Sequence, residues 1–303
     1  MSDIKLFQIN GNTVSPIEGK SVAVERSLQT LIEKHMEAFL GVRFLASEYL
    51  TGKVHGGRID SLGLDENGCP VIIEYKRSLN ENVINQGLFY LDWLFDHKAE
   101  FTLLVQQKFG KQEAENINWS GARLLCIAGE FTRYDEYAVN QISRNIDLIR
   151  YRRYGDSLLL LELVNASIGI IEESETTGGS ASSAERTTVT ENLANASQLI
   201  KDRFESLQAF LLALGDDVQV KTLNLYFAFK RIKNFACVEV HPQTGKIVVF
   251  VKADIDSIQL EQGFTRDMRT RGHFGTGNLE ITLSSDLDLE RAKPLILKSY
   301  EEN

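Results

Sequence analysis

The alternation of apolar and polar positions changes period along the chain, and this change separates predicted helices from predicted strands. Apolar side chains three or four residues apart predict helices at about 24–40, 81–96 with a continuation to about 114, and 134–143. Short apolar runs bounded by turn residues predict strands at 56–64, 70–77, 123–131, 146–155 and 157–164. The resulting order, α-β-β-α-β-α-β-β, predicts an α/β domain built on a mixed sheet flanked by helices.

A sharp change of composition divides the chain. Residues 172–192, EESETTGGSASSAERTTVTEN, contain few large apolar side chains and predict a flexible linker between domains at 1–171 and 193–303. The second domain is predicted to be a small α+β domain. Its predicted elements are helices at 193–214 and 287–300 and strands at 225–230, 236–241, 246–252 and 278–283.

The cysteines and the apolar runs restrict the class of protein. Cys69, Cys126 and Cys237 are far apart and form no CxxC pair, which disfavours a disulfide framework or a zinc site and fits a reducing cytoplasm. The apolar run SLLLLELV is far shorter than the roughly 20 residues of a membrane span. The N-terminal stretch MSDIKLFQIN lacks the pattern of a secretory signal. We therefore expect a cytoplasmic protein with no membrane partner.

The net charge of −9 argues at first against nucleic acid, because phosphate binding usually requires a basic surface. The charge is unevenly distributed, however. Residues 171–191 carry five Glu and one Arg, and so contribute −4 of the total. The two predicted domains are therefore only mildly acidic, and net charge does not decide between the classes of partner.

Two neighbouring strands of the first domain bring acidic residues together. If Leu64 pairs with Pro70 across the DENG turn, Asp60 faces Glu74, and Lys76 lies on the same face two residues further along. Carboxylates placed so closely repel each other unless a cation or a proton lies between them. A solvated sheet face is the simpler interpretation of such a group. The apolar run VII before Glu74 favours a buried strand instead.

The segment GGRIDSLGLDENGCPVIIEYKR resembles the core of the PD-(D/E)XK nuclease superfamily, and is most similar to its mismatch-endonuclease branch. Asp60 and Glu74-Tyr75-Lys76 match the motif of that superfamily, although Ile59 replaces its initial proline. The pair Gln86 and Tyr90, one helical turn apart, matches its Gln-x-x-x-Tyr element. The resemblance covers about 20–165 and implies a restriction-endonuclease-like fold.

The resemblance also implies a metal site. Asp60, Glu74 and the carbonyl of Tyr75 are expected to hold one or two Mg²⁺ or Mn²⁺ ions. A glutamate of the first helix is expected to complete the ligand set, and Glu33 is the preferred candidate, with Glu37 and Glu48 as alternatives. Lys76 is expected to orient or deprotonate the attacking water. Gln86 and Tyr90 are expected to belong to the same catalytic site.

Basic residues in both domains are candidates for nucleic-acid contact. In the first domain they are Arg58, Arg77, Arg150 and Arg152, and in the second they are Lys230, Arg231, Arg266, Arg269 and Arg271. Solubilising surface positions, and an edge strand protected by charge at 150–153, are equally consistent with these residues. The second domain also resembles a family labelled "predicted transport protein", although the sequence offers no membrane segment to support transport.

Three functions follow from these patterns. The preferred one is a metal-dependent DNA endonuclease in repair or defence, with RNA not excluded as a substrate. The second is an inactive nucleic-acid-binding protein on a nuclease-like fold. The third is a regulatory module whose second domain binds a small ligand. A homodimer, which would place two active sites on a duplex, stays an open expectation.

Overall fold

A computed structural model describes residues 4–20, 25–52, 56–76, 83–167 and 187–303. The chain forms two compact units, Met1–Glu173 and Ser174–Asn303. Arg77 and most of the predicted linker lie outside the described residues. The predicted fold class is confirmed, since a mixed sheet flanked by helices is followed by a smaller unit with an antiparallel sheet.

The described residues of the first unit form nine strands. They are β1 (Leu6–Asn10), β2 (Thr13–Ile17), β3 (Gly19–Lys20), β4 (Val42–Leu50), β5 (Arg58–Asp65), β6 (Pro70–Lys76), β7 (Arg123–Ala128), β8 (Asn145–Tyr154) and β9 (Leu158–Ser167). β1 and β2 form a separate hairpin. The main sheet has the order β3-β8-β7-β6-β5-β4, with β9 paired to β8.

The centre of this sheet is parallel and its flanks are antiparallel. β6 pairs in parallel with β7, and β7 in parallel with β8, whereas β5 pairs with both β4 and β6 in the antiparallel sense. Parallel strands are usually buried on both faces. The central strands accordingly read PVIIEYK and RLLCIA, and nearly every residue in them is buried.

The helices of the first unit lie between and beside these strands. They are α1 (Glu25–Lys34), α2 (Met36–Leu40), α3 (Val83–Asp96), α4 (Lys98–Phe109), α5 (Lys111–Glu115) and α6 (Arg133–Asn140). The helix predicted at 24–40 is interrupted at His35, and Gly41 ends its second part in a left-handed conformation, as expected of a stop signal. α1 contacts β5 and β6, and α3 contacts β6 and β7.

Strand β4 was not predicted from the sequence. Its pairing with β5 shifts between Phe44 and Ala46, so a bulge interrupts the regular alternation of inward and outward side chains. Its burial pattern mixes buried, half-buried and exposed residues. The period-two signal that identifies a strand is therefore weak here, although β4 borders the strand that carries Asp60.

In the second unit, the residues from 187 onward form three helices and one antiparallel sheet. The helices are α7 (Val189–Ala194), α8 (Gln198–Leu212) and α9 (Asp286–Glu302), and the strands are β10 (Gln219–Thr222), β11 (Phe227–Lys230), β12 (Asn234–His241), β13 (Lys246–Val251), β14 (Thr265–Asp267) and β15 (Leu279–Leu283). The strand order is β10-β11-β12-β13-β15-β14. β10 and β14 are short and escaped prediction.

The start of this unit differs from its predicted boundary. α7 begins at Val189, inside the predicted linker, because Thr188 and Glu191 form a reciprocal capping box. Within the described parts of the chain, none of the helices combines the length and the apolar character needed to cross a membrane.

Candidate active site

The hairpin of β5 and β6 carries the acidic residues, and its predicted register is confirmed. Leu64 pairs with Pro70 and Leu62 with Ile72. Asp65 closes the turn, since its side chain accepts hydrogen bonds from the backbone N–H groups of Asn67 and Cys69, each at 2.9 Å. The hairpin therefore fixes which residues of the two strands lie opposite each other.

Asp60 and Glu74 lie just beyond the last regular pair of this hairpin, Ser61 with Ile73. The backbone N–H of Asp60 donates to Glu74 Oε1 at 3.2 Å. The backbone N–H of Tyr75 donates to Asp60 Oδ2 at 3.0 Å. Each carboxylate thus reaches across to the other strand, and the structure brings the two predicted acids together at this end of the hairpin.

The site is largely closed to solvent on the Glu74 side. Glu74 is 0% exposed and Asp60 is half-buried. Burial raises the pKa of Asp60, and the charge of Glu48 raises it further, whereas the Tyr75 hydrogen bond and the charges of Lys76 and Arg58 lower it. Burial therefore disfavours the ionised form of Asp60, and the charges of Lys76 and Arg58 stabilise it.

Glu33 lies beside this pair rather than between its members. Its Oε1 accepts hydrogen bonds from Ser61 Oγ at 2.6 Å, from Ser47 Oγ at 2.8 Å and from Gln29 Nε2 at 3.0 Å. Ser61 follows Asp60 in β5, so its side chain leaves the strand in a different direction from that of Asp60. The helix acid preferred from the sequence is near the site, but hydroxyl and amide donors hold it.

Burial raises the pKa of Tyr75, and the charges of Glu33, Asp60 and Glu74 raise it further. All three carboxylates therefore act electrostatically on one buried phenol, which is 0% exposed. The hydroxyl of this residue lies 3.4 Å from Ser61 Oγ. The Tyr75 side chain is part of the core beneath the acids, and only its main chain is available as the predicted ligand.

Glu48, the last of the three glutamates considered as a metal ligand, lies on β4. Its neighbours Ser47 and Tyr49 pair with Ser61 and Ile59 of β5, so Glu48 lies opposite Asp60. It has a φ of 53°, a left-handed conformation that residues other than glycine seldom adopt. The alternative Glu37 is exposed on α2.

The predicted pair on α3 is confirmed as a contact. Gln86 Nε2 donates to the Tyr90 hydroxyl at 3.1 Å. The same hydroxyl accepts a hydrogen bond from the backbone N–H of Arg58, also at 3.1 Å. Tyr90 is 5% exposed, and a side chain at Gly57 would collide with its ring. These contacts hold the start of β5, two residues before Asp60.

The donor set suits a hard divalent cation. Carboxylate and carbonyl oxygens are what Mg²⁺ and Mn²⁺ prefer. When ionised, Glu33, Glu48, Asp60 and Glu74 carry four negative charges, against two positive charges on Arg58 and Lys76. As the side chains are placed, no three His, Cys, Asp or Glu residues of the described segments form a ready metal cage. Binding an ion would therefore require these carboxylates to exchange their present partners.

The basic residues proposed for nucleic-acid contact lie in varied surroundings. Arg150 is buried and binds Glu162 on β9 at 2.6 Å, so its guanidinium is not presented to a ligand. Arg152 is partly exposed and lies 3.4 Å from Glu130. The alternation predicted for these arginines along β8 does not place both side chains on an open surface.

The same holds in the second unit. Lys230 is buried. Arg231 pairs with Asp217 at 2.7 Å, Arg266 with Glu280 at 3.5 Å, and Arg269 with Asp267 at 2.9 Å. Arg271 is exposed. Neighbouring acids therefore occupy three of the five predicted contacts, and burial removes a fourth.

Gln29 was not anticipated from the sequence. Its side chain is 7% exposed, and its Nε2 lies within 3.5 Å of Glu33, Ser47, Glu48 and the carbonyl of Asp60. The sequence did contain one indication of this role, because Gln29 lies among the apolar positions of α1, beside Leu28 and Ile32. A polar side chain at a helix position that faces the core needs buried partners.

A buried charge network lies at the other end of the hairpin. Arg123 binds Asp147 at 2.5 Å and Asp65 at 3.3 Å, and all three side chains are about 5% exposed. This network of three side chains connects β5, β7 and β8, and it was also not predicted from the sequence. Asp65 thus links the turn that sets the register to the central strands of the sheet.

A family match lies within the second unit. Residues 189–303 match a family described as a domain of unknown function (DUF5655), which gives the transport label of the second domain no support. A protein of Haemophilus influenzae described as uncharacterized is 25% identical over 307 residues, which covers 99% of this chain and 100% of that protein.

Two solved structures match part of this chain. A repair endonuclease from Pyrococcus abyssi is 18% identical, with a TM-score of 0.28 over 43% of this chain and 48% of that chain. A structure of EndoMS in complex with double-stranded DNA is 15% identical, with a TM-score of 0.25 over 48% of this chain and 64% of that chain. The match therefore spans less than two thirds of either protein.

Proposed function

We propose that the first unit is a DNA endonuclease that uses Mg²⁺ or Mn²⁺ to hydrolyse phosphodiester bonds. The observation that carries this proposal is the reciprocal pairing of Asp60 and Glu74 at the end of their hairpin, with Lys76 close enough to lower the pKa of Asp60. A buried glutamate held against a half-buried aspartate and beside a lysine is costly for a fold that has no use for it.

In this proposal Asp60, Glu74 and the Tyr75 carbonyl hold the divalent ion. A bound ion lowers the pKa of water and offsets charge on the scissile phosphate. Lys76 orients the attacking water and stabilises the negative charge that develops on the phosphate. Tyr90 and Gln86 act as positioning residues, since they hold the backbone of Arg58 and so fix where Asp60 stands.

Cleavage of labelled single-stranded and duplex DNA tests the proposal. We expect cutting in Mn²⁺ or Mg²⁺ and none in EDTA. We expect Asp60→Asn and Lys76→Met each to lower the rate by about 10²-fold or more, as removing a group that stabilises transition-state charge does. Arg43→Gln, which removes a partly exposed arginine that pairs with Glu113 on the same unit, is the matched control and is expected to cut normally. Cutting that persists in both site variants contradicts the proposal.

A nucleic-acid-binding protein without catalysis is the second candidate. It is favoured by one observation, that backbone N–H groups already occupy the carboxylates of Asp60 and Glu74 and leave no assembled metal cage among the described residues. The same assay separates the two candidates. DNA binding that neither ion converts into cleavage, with wild type and Asp60→Asn binding equally, supports the second candidate.

A further inference from the structure

Arg58 and Glu48 form an ion pair at the entrance to the candidate active site. Arg58 Nε lies 2.7 Å from Glu48 Oε2, and the side chains are 61% and 39% exposed. The residues belong to paired strands, since Leu50 pairs with Arg58 in the β4–β5 ladder. Both charges act on Asp60, Glu48 raising its pKa and Arg58 lowering it.

The carboxylate of Glu48 is within reach of the site on its other side. Glu48 Oε1 lies 3.3 Å from Gln29 Nε2, and the same nitrogen lies 3.0 Å from the carbonyl oxygen of Asp60. Glu48 therefore has one oxygen directed at the arginine and the other at a group that touches the backbone of Asp60. It bridges the cation at the surface and the acids behind it.

We propose that Arg58 is a placeholder cation that changes partner when the site is loaded. In the metal-free protein it neutralises Glu48. When a divalent ion binds beside Asp60, Glu48 turns to the ion and releases the guanidinium, which then binds a DNA phosphate next to the scissile one. This inference rests on the function proposed above and adds a coupling between metal binding and DNA binding.

The geometry allows Arg58 to exchange Glu48 for a phosphate at a small cost in free energy. The backbone of Arg58 is held by the Tyr90 hydroxyl, so only the side chain has to move. Exposed ion pairs are weak because water screens them, and the released guanidinium gains a phosphate that it can bind with two parallel hydrogen bonds. The divalent ion in turn meets a carboxylate that no longer has to be shared with an arginine.

A surface ion pair without function makes the opposite prediction. Removing the arginine of a purely structural pair leaves metal affinity unchanged, or weakens it by disturbing β5. Removing a placeholder instead strengthens metal binding, because the ion no longer competes with a cation for Glu48. The sign of the change in metal affinity therefore distinguishes the two explanations.

Calorimetric titration of the full-length protein with MnCl₂, without DNA, measures that sign. We expect Arg58→Gln to bind Mn²⁺ about 3- to 10-fold more tightly than wild type, the effect of removing one nearby charge in a solvated site. Arg58→Lys retains the charge and is expected to match wild type. Glu48→Gln is expected to bind at least 10-fold more weakly. Arg43→Gln, which removes the arginine that pairs with Glu113 on the same unit, is the matched control and is expected to show no change.

Fluorescence anisotropy with a labelled duplex measures the second half of the coupling, in a Lys76→Met background that prevents cutting. In Mn²⁺ we expect Arg58→Gln to lower the slope of log affinity against log salt by about 1, because one phosphate contact is lost. In EDTA, where Glu48 retains the arginine, the same substitution is expected to leave the slope unchanged.

The results separate this inference from the proposed function. If wild type binds Mn²⁺ and cuts DNA but Arg58→Gln binds the ion no more tightly, the placeholder role is overturned and the nuclease stands. Equal Mn²⁺ affinity in Glu48→Gln and wild type overturns it as well. If wild type binds no Mn²⁺ at millimolar concentration, the metal site, the nuclease and the placeholder role all fail together.

Discussion

The two units of this protein treat buried charge differently. Among the described side chains of the first unit, three carboxylates are buried, those of Asp65, Glu74 and Asp147. In the second unit, within the described residues, no carboxylate is buried to this degree. Asp267 pairs with the partly exposed Arg269, and the exposed Asp286 pairs with the buried Arg203. The core of the second unit is built from apolar side chains on one face of its sheet.

Burying a carboxylate lowers the stability of a fold unless a partner compensates for the lost water, so the buried acids of the first unit need an explanation. Two of the three buried acids, Asp65 and Asp147, share Arg123 and serve the sheet. The third, Glu74, lies beside another acid at the end of the hairpin. Natural proteins keep such arrangements mostly at functional sites. The comparison therefore directs attention to one end of one hairpin in the first unit.

The largest expected effect comes from removing the buried cation of the first unit. Arg123→Met leaves Asp65 and Asp147 buried without their shared guanidinium, and breaking such a network typically costs about 3–5 kcal/mol. Denaturant unfolding measures the change. Arg152→Met, which removes a partly exposed pair on the same unit, is the matched control and is expected to cost about 1 kcal/mol or less. Equal losses in the two variants would show that burial of the network contributes nothing.

Truncating a core side chain of the second unit is expected to lower stability by nearly as much, but only in that unit. Leu207 is 0% exposed on α8, so Leu207→Ala should destabilise its unit by about 2–5 kcal/mol. Leu199→Ala, on the same helix and 60% exposed, is the control and should change little. Because the two cores share no residue, we expect Mn²⁺ to stabilise the first unit in both variants, measured by calorimetry. Loss of that response in Leu207→Ala would show that the units are coupled.

A smaller effect of opposite sign is expected at the candidate site. Burial raises the folded-state pKa of Asp60 above its unfolded value, so stability is full below the unfolded pKa and is lost as the pH rises through the folded pKa. Asp60→Asn imitates the protonated side chain. We expect this variant to be more stable than the metal-free wild type at pH 7 by about 1 kcal/mol, and equal to it near pH 3.

Thermal melts from pH 3 to pH 7 in EDTA measure this difference. Asp156→Asn, which changes an exposed acid in the turn between β8 and β9, is the matched control and is melted over the same pH range. A metal-free Asp60→Asn variant that is less stable than wild type at pH 7 would mean that the carboxylate serves the fold.

The smallest effect is expected on the surface of the second unit. The hydrogen bond to Glu239 raises the pKa of His241, so this pair stabilises the fold below the unfolded histidine pKa and the contribution is lost as the pH rises through the folded value. The imidazole is 43% exposed, so water screens the pair, and its contribution is no more than about 0.5 kcal/mol. We expect Glu239→Gln to lower the His241 pKa in an NMR titration and to lower stability at pH 5.5 but not at pH 8.5. An unchanged His241 pKa would contradict the assigned cause.

The sequence was informative where a short-range rule applied and silent where distant segments meet. Alternation and the DENG turn were enough to predict the register that brings Asp60 and Glu74 together. Helical spacing was enough to place Gln86 beside Tyr90. Neither pattern predicts that the Tyr90 hydroxyl accepts a hydrogen bond from the backbone N–H of Arg58, because that contact depends on how α3 packs against the sheet.

The errors have similar physical causes. The bulge in β4 removed the alternation that would have identified it, so Glu48 was assigned to a segment ahead of the hairpin rather than to the strand beside Asp60. Charge alone suggested that Arg150 and Lys230 were exposed, whereas both are buried. A sequence gives the charge of a side chain directly, but its burial follows only from the completed packing.

The parallel pairing of β6 has a consequence for the order in which the chain assembles. Its partner β5 comes just before it in the chain and is joined to it by a tight turn. Its other partner, β7, is separated from it by α3, α4 and α5. Closing the long connection is entropically slow, so the hairpin can form well before β7 arrives. During synthesis the acids would then meet while one edge of β6 is still open to water and to other chains. Docking of β7 would therefore be the step that closes this edge of β6 and excludes water from the Glu74 side of the candidate site.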